Sequence, residues 1–255
     1  MVFNSIFFIF CFLPVFMLIY YLVPGKLRNL LLFLGSLIFY AWGEPVYVIL
    51  MLFSSIFNYY MGTELERLYY DDRKQKINLI FSIIINLAVL VFFKYYGFLL
   101  NTIGGIIGIH IPHPELSLPI GLSFYTFRNL SYLFDIYLSK VSAQRNFLTF
   151  AVYSTMFPYT SAGPIVRYTD IETQLKQRTI NISKFGIGAE LFVKGLAKKV
   201  LLADNLSVLY SSICGHPQMS VFTSWLGILA YTMQLYFDFS GYSDMAIGLG
   251  KMLGF

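Results

Sequence analysis

The 255-residue chain is 57% hydrophobic and 19% aromatic but only 12% charged, whereas soluble domains run near half apolar and a quarter charged. A mean hydropathy of +0.67 together with 26 Phe and 20 Tyr excludes disorder, collagen-like repeats and coiled coil, and indicates an integral membrane protein. The net charge of +5 and pI near 9.0 arise from basic residues in short loops between apolar segments, the pattern of membrane topology and not of a nucleic-acid face.

A helix needs about 20 mostly apolar residues to cross the hydrocarbon core. Val2 to Gly25 has no charged side chain and is the clearest span. It lacks a basic start and a small-residue cleavage site, so it reads as an anchor and not a removed signal peptide. Cys11 lies within it, far from Cys214. Two such residues make no metal cluster or disulfide framework, and buried packing is expected of both. Asn29 to Gly43 and Pro45 to Thr63 read as two helices meeting at a Glu44-Pro45 break.

Glu64 to Lys76 is a charged loop in this reading, and Ile77 to Leu100 is the next span. Asn101 to Leu118 holds Gly104, Gly105, Gly108, Pro112 and Pro114 and is expected to be irregular. Pro119 to Leu138 is a further membrane segment that carries Arg128 and Asp135. The basic residues Lys26, Arg28, Arg67, Arg73, Lys74, Lys76, Lys140 and Arg145 then fall on the cytoplasmic side, and the Lys-free 101–118 stretch falls outside.

Phe147 to Pro158 is too short to cross alone and runs into Tyr159-Thr-Ser-Ala-Gly163-Pro164. A backbone break at membrane depth is tolerated only where it is buried or lines a cavity, so a re-entrant element is expected. Ser183 to Asp204 places Lys184, Glu190, Lys194 and Lys198 on one helical face and Ala189, Phe192, Val193, Leu196 and Val200 opposite. That pattern fits a helix lying in the membrane interface, with Lys199 the exception. Asn205 to Phe237 is uncharged, enough for one or two crossings around Gly215-His216-Pro217. The whole is expected to be all-α: a polytopic transmembrane helical bundle with a re-entrant element and an interfacial amphipathic helix, in a single transmembrane domain over residues 1–255.

His110 and His113 flank Pro112 with only Glu115 nearby, and His216 sits between Gly215 and Pro217. None has the ligand set of a metal site, and loop positions are expected instead. Intramembrane charges say more, because each costs about 2.5–3.5 kcal/mol on insertion scales unless paired. Arg128 and Asp135 are seven residues apart, hence on one helical face, as a stabilising pair, as partners of neighbouring helices, or as the lining of a substrate passage. Asp238 follows 33 uncharged residues, with Gln234 four positions before it and Ser240, Tyr242, Ser243 and Asp244 after it, around Gly241. A carboxylate beside a broken helix there could orient a base, coordinate a cation or cap the helix. No phosphate loop or nucleophile elbow is present in the sequence.

Five stretches in order resemble the membrane-bound O-acyltransferase family, in its bacterial alginate O-acetyltransferase branch. They are Leu118-Pro-Ile-Gly-Leu-Ser-Phe-Tyr-Thr-Phe127, Leu130-Ser-Tyr-Leu-Phe-Asp-Ile-Tyr137, Phe157-Pro-Tyr-Thr-Ser-Ala-Gly-Pro-Ile-Val-Arg-Tyr168, Gly195-Leu-Ala-Lys-Lys-Val-Leu-Leu-Ala-Asp-Asn205 and Tyr231 to Gly250. Phe39-Tyr-Ala-Trp42 and Phe93-Lys-Tyr-Tyr96 fit as well. The resemblance implies a multi-helix body in the bacterial inner membrane, enclosing a tunnel. A cytoplasmic thioester, acetyl-CoA or an acylated carrier, would meet a polysaccharide hydroxyl there, with no bound cofactor and a histidine as general base. An extracytoplasmic transferase partner would complete delivery. Arg128, Asp135, Gly163, Pro164, Arg167, Gln234, Asp238, Ser240, Tyr242 and Asp244 are carried over as tunnel-lining or supporting residues. Arg128 stands where such sequences commonly carry Gln. The family's histidines are expected beyond Phe255, so the chain reads as an inactive N-terminal part. The rival readings are a transporter or channel using Arg128, Asp135 and Asp238, and a non-catalytic scaffold. The halves show no inverted repeat to support the first.

Overall fold

The computed structural model describes residues 2–108, 112, 117–160, 163–216 and 220–255. The described residues are helical, with no strand among them. A π-helical stretch Phe8–Phe12 leads into α1 (Leu13–Leu22), then α2 (Arg28–Gly43), α3 (Val48–Arg67), α4 (Asp72–Ile107) and α5 (Leu122–Tyr137). There follow α6 (Phe147–Thr155), α7 (Phe157–Thr160), α8 (Tyr168–Lys176) and α9 (Ile182–Ala197), a second π-helical stretch Lys198–Ala203, α10 (Asp204–Cys214) and α11 (Val221–Met252).

Several boundaries differ from the sequence reading. The charged stretch 64–76 is mostly helix, because α3 runs to Arg67 and Asp71 caps α4 by accepting the Lys74 N–H at 3.1 Å. A side-chain contact of 2.9 Å between Lys74 Nζ and Asp71 Oδ2, with the cap beside it, holds the Asp71 carboxyl below its ordinary range, and the same contact holds the Lys74 ammonium above its own. The expected irregular segment begins late, since α4 continues through Gly104 and Gly105 to Ile107 and ends where Gly108 turns left-handed at φ 73°. Much of the remainder of that segment, with His110, His113 and Pro114, lies outside the described residues. α11 is unbroken through Gly241, so no helix break flanks Asp238. Both cysteines are exposed and not packed inside.

The chain divides into two compact units: the described residues of Met1–Pro24, Ala162–Pro164 and Lys176–Phe255 form the first, and those of Gly25–Ser161 and Ile165–Leu175 the second. In the second unit, α3 and α4 are long and apolar enough to cross a membrane, yet only 28% and 22% of their most apolar windows are buried. α4 buries Gln75, Leu79, Ser82, Asn86 and Leu90 on one stripe and exposes Ile77, Ile80, Phe81, Ile84, Val91 and Phe92. This is the reverse of a water-soluble helix, with polar groups turned inward and hydrocarbon outward. Asn58 and Asn86 exchange amide hydrogen bonds of 3.0 and 2.9 Å between α3 and α4, and Asn129 Nδ2 of α5 donates to Ser54 Oγ at 3.2 Å. Ser55 Oγ donates to Ser154 Oγ of α6 at 3.0 Å.

The first unit is built on α9 against α11. Each helix carries glycines seven residues apart, and the pairs meet: a Cβ on Gly195 would lie 2.5 Å from Gly241 O, and one on Gly188 2.6 Å from Gly248 O. The inward face of α9 is therefore the line Gly188, Phe192, Gly195, while Val193 and Val200, expected on its apolar face, are exposed. Small residues let the backbones touch. The N-terminal helix docks here too, through Tyr20 OH donating to Leu253 O at 2.7 Å and Tyr21 OH to Met252 O.

Candidate functional site

In the first unit, five of the residues singled out from sequence, Gln234, Asp238, Ser240, Tyr242 and Asp244, sit on α11. Lys198 Nζ donates to Asp244 Oδ2 at 2.6 Å and to Ser240 Oγ at 3.0 Å. Its neighbour Lys199 places Nζ 2.8 Å from Asp238 Oδ1 and 3.1 Å from Asp204 Oδ1. The two lysines open the π-helical stretch Lys198–Ala203, and both engage α11, Lys198 at Asp244 and Lys199 at Asp238. Tyr242 stacks on Phe3 with ring centroids 4.8 Å apart. Gln234 Oε1 is buried with no hydrogen-bond partner among the described residues. An open groove of about 600 Å³, lined by Leu191, Lys194, Ala197, Lys198, Leu201, Leu202 and Asp244, adjoins the pairs. The same unit holds Gly163, buried, and Pro164, half-buried.

In the second unit, Arg128 is 1% exposed. Its guanidinium donates to Tyr153 O at 3.1 Å, to Ser154 O at 3.4 Å and to Tyr159 O. These carbonyls belong to the end of α6 and to α7, where the backbone breaks at Met156 ahead of Pro158. One side chain thus satisfies acceptors that the break leaves without helical partners. Tyr153 OH returns a hydrogen bond to Arg128 O at 3.1 Å. Asp135 is also buried, and its ion partner is Lys140 at 3.8 Å. Arg167 is exposed just ahead of α8.

Among the described residues no group of three or more His, Cys, Asp or Glu is placed to hold a metal. His216 follows α10, its N–H bonded to Ile213 O at 3.2 Å.

The sequence model of the membrane-bound O-acyltransferase family matches residues 46–255. Described in print as "Probable alginate O-acetylase AlgI", a Pseudomonas aeruginosa protein is 42% identical over 259 residues, covering 100% of this chain and 50% of the relative. The Azotobacter vinelandii protein of the same description is 40% identical, covering 100% and 52%. A peptidoglycan O-acetyltransferase of Helicobacter pylori is 33% identical, covering 98% and 54%. This chain belongs to the membrane-bound O-acyltransferase family. It is a membrane protein of that family, and it spans about half the length of the curated relatives it matches.

Within this member of the family, sequence reasoning missed the partners of the α11 carboxylates. Lys199 stood out only as the residue that broke the amphipathic pattern of 183–204, and Asp204 was read as the end of that helix. The glycine spacing of seven in both helices was legible, although nothing in it named the partner. Tyr153 and the carbonyls gripped by Arg128 carried no side-chain signal, because backbone acceptors are silent in a sequence.

Proposed function

We propose that the chain forms part of an O-acyltransferase that moves an acyl group, acetyl in this reading, from a thioester donor to hydroxyls of a cell-surface polysaccharide. The donor is acetyl-CoA or an acylated carrier at the cytoplasmic face of the bacterial inner membrane. The protein is multi-pass, residues 1–255 belong to one transmembrane domain, α6 and α7 form a re-entrant element, and an extracytoplasmic transferase takes over delivery. Similarity along the whole chain to relatives described as O-acetylating alginate and peptidoglycan supports the reaction class. A thioester needs no further activation, whereas a hydroxyl needs a base. We assign that base to the half of the family's length that this chain does not span, so the 255 residues alone are inactive.

Within the first unit, the observation that carries the site assignment is the engagement of two adjacent lysines with two α11 aspartates, Lys198 with Asp244 and Lys199 with Asp238. Charges in helices of a membrane protein are retained at a cost of about 2.5–3.5 kcal/mol each unless paired. Asp238, Asp244 and Ser240 act here as positioning residues that fix α11, with Gln234 and Tyr242 beside them. In the second unit, Arg128 braces the α6–α7 break, with Asp135 on the same helix, while Gly163, Pro164 and Arg167 belong to the segment that follows. The test is acyl transfer in nanodiscs from labelled acetyl-CoA and from acetylated carrier, using the chain alone and the chain joined to the remaining half of the Pseudomonas relative. No transfer alone and transfer when joined are expected. Robust transfer by the 255 residues alone would overturn the base assignment. Unchanged transfer after Asp238→Ala in the joined protein would overturn the site.

A further inference from the structure

The second unit carries a groove that plays no part in the acyl-transfer reading. It is about 420 Å³ in volume and opens where α3 ends and α5 gives way to the 138–146 segment. Lys140, Arg145, Ser139, Ser142, Tyr69 and Tyr70 line it, together with Glu66. Glu66 is already engaged by Arg145 at 2.6 Å. Lys140 is different: its nearest counter-ion, Asp135 Oδ1, is 3.8 Å away, beyond hydrogen-bond reach, and its side chain is 52% exposed. Counted over its lining, the groove holds two cations and one carboxylate. Ser139 sits in the left-handed region at φ 55°, closing α5 so that Ser139, Lys140 and Ser142 all reach the groove.

The setting points to a lipid rather than a soluble anion. α3, long and apolar enough to cross a membrane, delivers Tyr69 and Tyr70 to the groove at 50% and 96% exposure. Amphipathic tyrosines at the polar end of a membrane helix sit at headgroup level. The exposed Phe127 and Phe134 of α5 and Leu138 at its C-cap form a line, seven and four residues apart, that ends at Ser139 and gives acyl chains a track. We infer that this groove holds the phosphate-bearing headgroup of an anionic phospholipid, with the Lys140 ammonium and the Ser139 and Ser142 hydroxyls as donors. Basic pockets between membrane helices bind such headgroups by this chemistry.

The test is lipid retention by the purified chain, read by native mass spectrometry after exchange into mixed phosphatidylglycerol and phosphatidylcholine. Preferential retention of phosphatidylglycerol is expected, falling about fivefold in Lys140→Ala, the effect of one surface cation. It should be restored in Lys140→Arg and unchanged in Lys74→Ala, whose lysine is tied to Asp71 at 2.9 Å. Equal retention of the two lipids, or equal loss in Lys74→Ala, overturns the inference. Displacement of phosphatidylglycerol by coenzyme A or inorganic phosphate also overturns it, by making the groove a soluble-phosphate site. Should Lys140→Ala fail to fold, Ser142→Ala supplies the same comparison, and no loss of preference in it counts against the proposal.

Discussion

The crossing of α9 and α11 makes the sharpest prediction, because α9 contains its own control. Gly186 and Gly188 are two residues apart, yet a Cβ on Gly186 meets nothing within 4 Å, whereas one on Gly188 meets Gly248 O at 2.6 Å and Met252 N at 2.9 Å. A Cβ on Gly195 meets Gly241 O at 2.5 Å and Met245 N at 2.7 Å. Ordinary contact begins at 3.4 Å, so the helices must part by about 0.9 Å (3.4 less 2.5) at Gly195. The obstacles are backbone atoms that no rotamer can move aside. Overpacking of this kind costs about 1–3 kcal/mol. Gly186→Ala, by contrast, replaces an exposed helical glycine and should stabilise by about 0.4–1 kcal/mol. Gly195→Ala together with Gly241→Ala should cost less than the sum of the single changes, since one separation relieves both clashes. Thermal unfolding of the detergent-purified variants provides the measurement. If Gly186→Ala and Gly195→Ala shift the midpoint alike, the close crossing does not exist and the argument fails.

Arg128→Met should leave the Tyr153, Ser154 and Tyr159 carbonyls buried without their donor, costing about 1–3 kcal/mol per group left unsatisfied. Arg128→Gln keeps one donating amide and should lose less; equal stability of Arg128→Met and the parent in the same unfolding assay would count against the brace. Asn58→Leu should leave Asn86 Oδ1 without its donor, Asn86 Nδ2 keeping Ser82 O, and cost about 0.6–1.7 kcal/mol, whereas Asn58→Leu with Asn86→Leu should recover part of that loss, and strictly additive costs would show that the pair is not coupled. In a transferase made whole by the other half of the family body, Asp238→Ala should lower acylation further than Tyr69→Ala, which changes a residue of the turn after α3; equal rates in a radiolabelled-acetyl assay would remove Asp238 from the site.

Helix type and membrane residence were legible in the sequence because they depend on bulk hydrophobicity and on uncharged runs of sufficient length. Where the reading went wrong, one residue type carried two meanings. Gly104 and Gly105 were taken as breakers, yet glycine inside a helix costs only about 1 kcal/mol, and the helix ends at the left-handed Gly108 instead. Gly241 was taken to mark a break beside Asp238, but it serves contact with α9. The charged stretch 64–76 looked like loop because its polarity is high, although its Glu64–Arg67 and Asp71–Lys74 pairs are spaced three apart, as helix ends require. Arg128 and Asp135 were rightly placed on a buried helix, but their partners, backbone carbonyls and a lysine in the following segment, are set by tertiary packing that periodicity does not encode.

The glycine crossing and the lysine–aspartate pairs are one device and not two. Asp238 and Asp244 are six residues apart, about 9 Å along a helix, and Gly241 lies midway between them. Adjacent lysines can reach both only if their own backbone passes close to that midpoint, and Gly195 O, 2.7 Å from where a Gly241 Cβ would stand, shows that it does. From there the two lysines diverge along α11, Lys198 toward Asp244 and Lys199 toward Asp238. The separation forced by Gly195→Ala acts at this same point, since the added Cβ would stand 2.5 Å from Gly241 O and 2.7 Å from Met245 N. A methyl group placed three residues before Lys198 would then press on the Asp244 side chain, whose Cβ lies 2.9 Å from it, and on the backbone that carries both carboxylates.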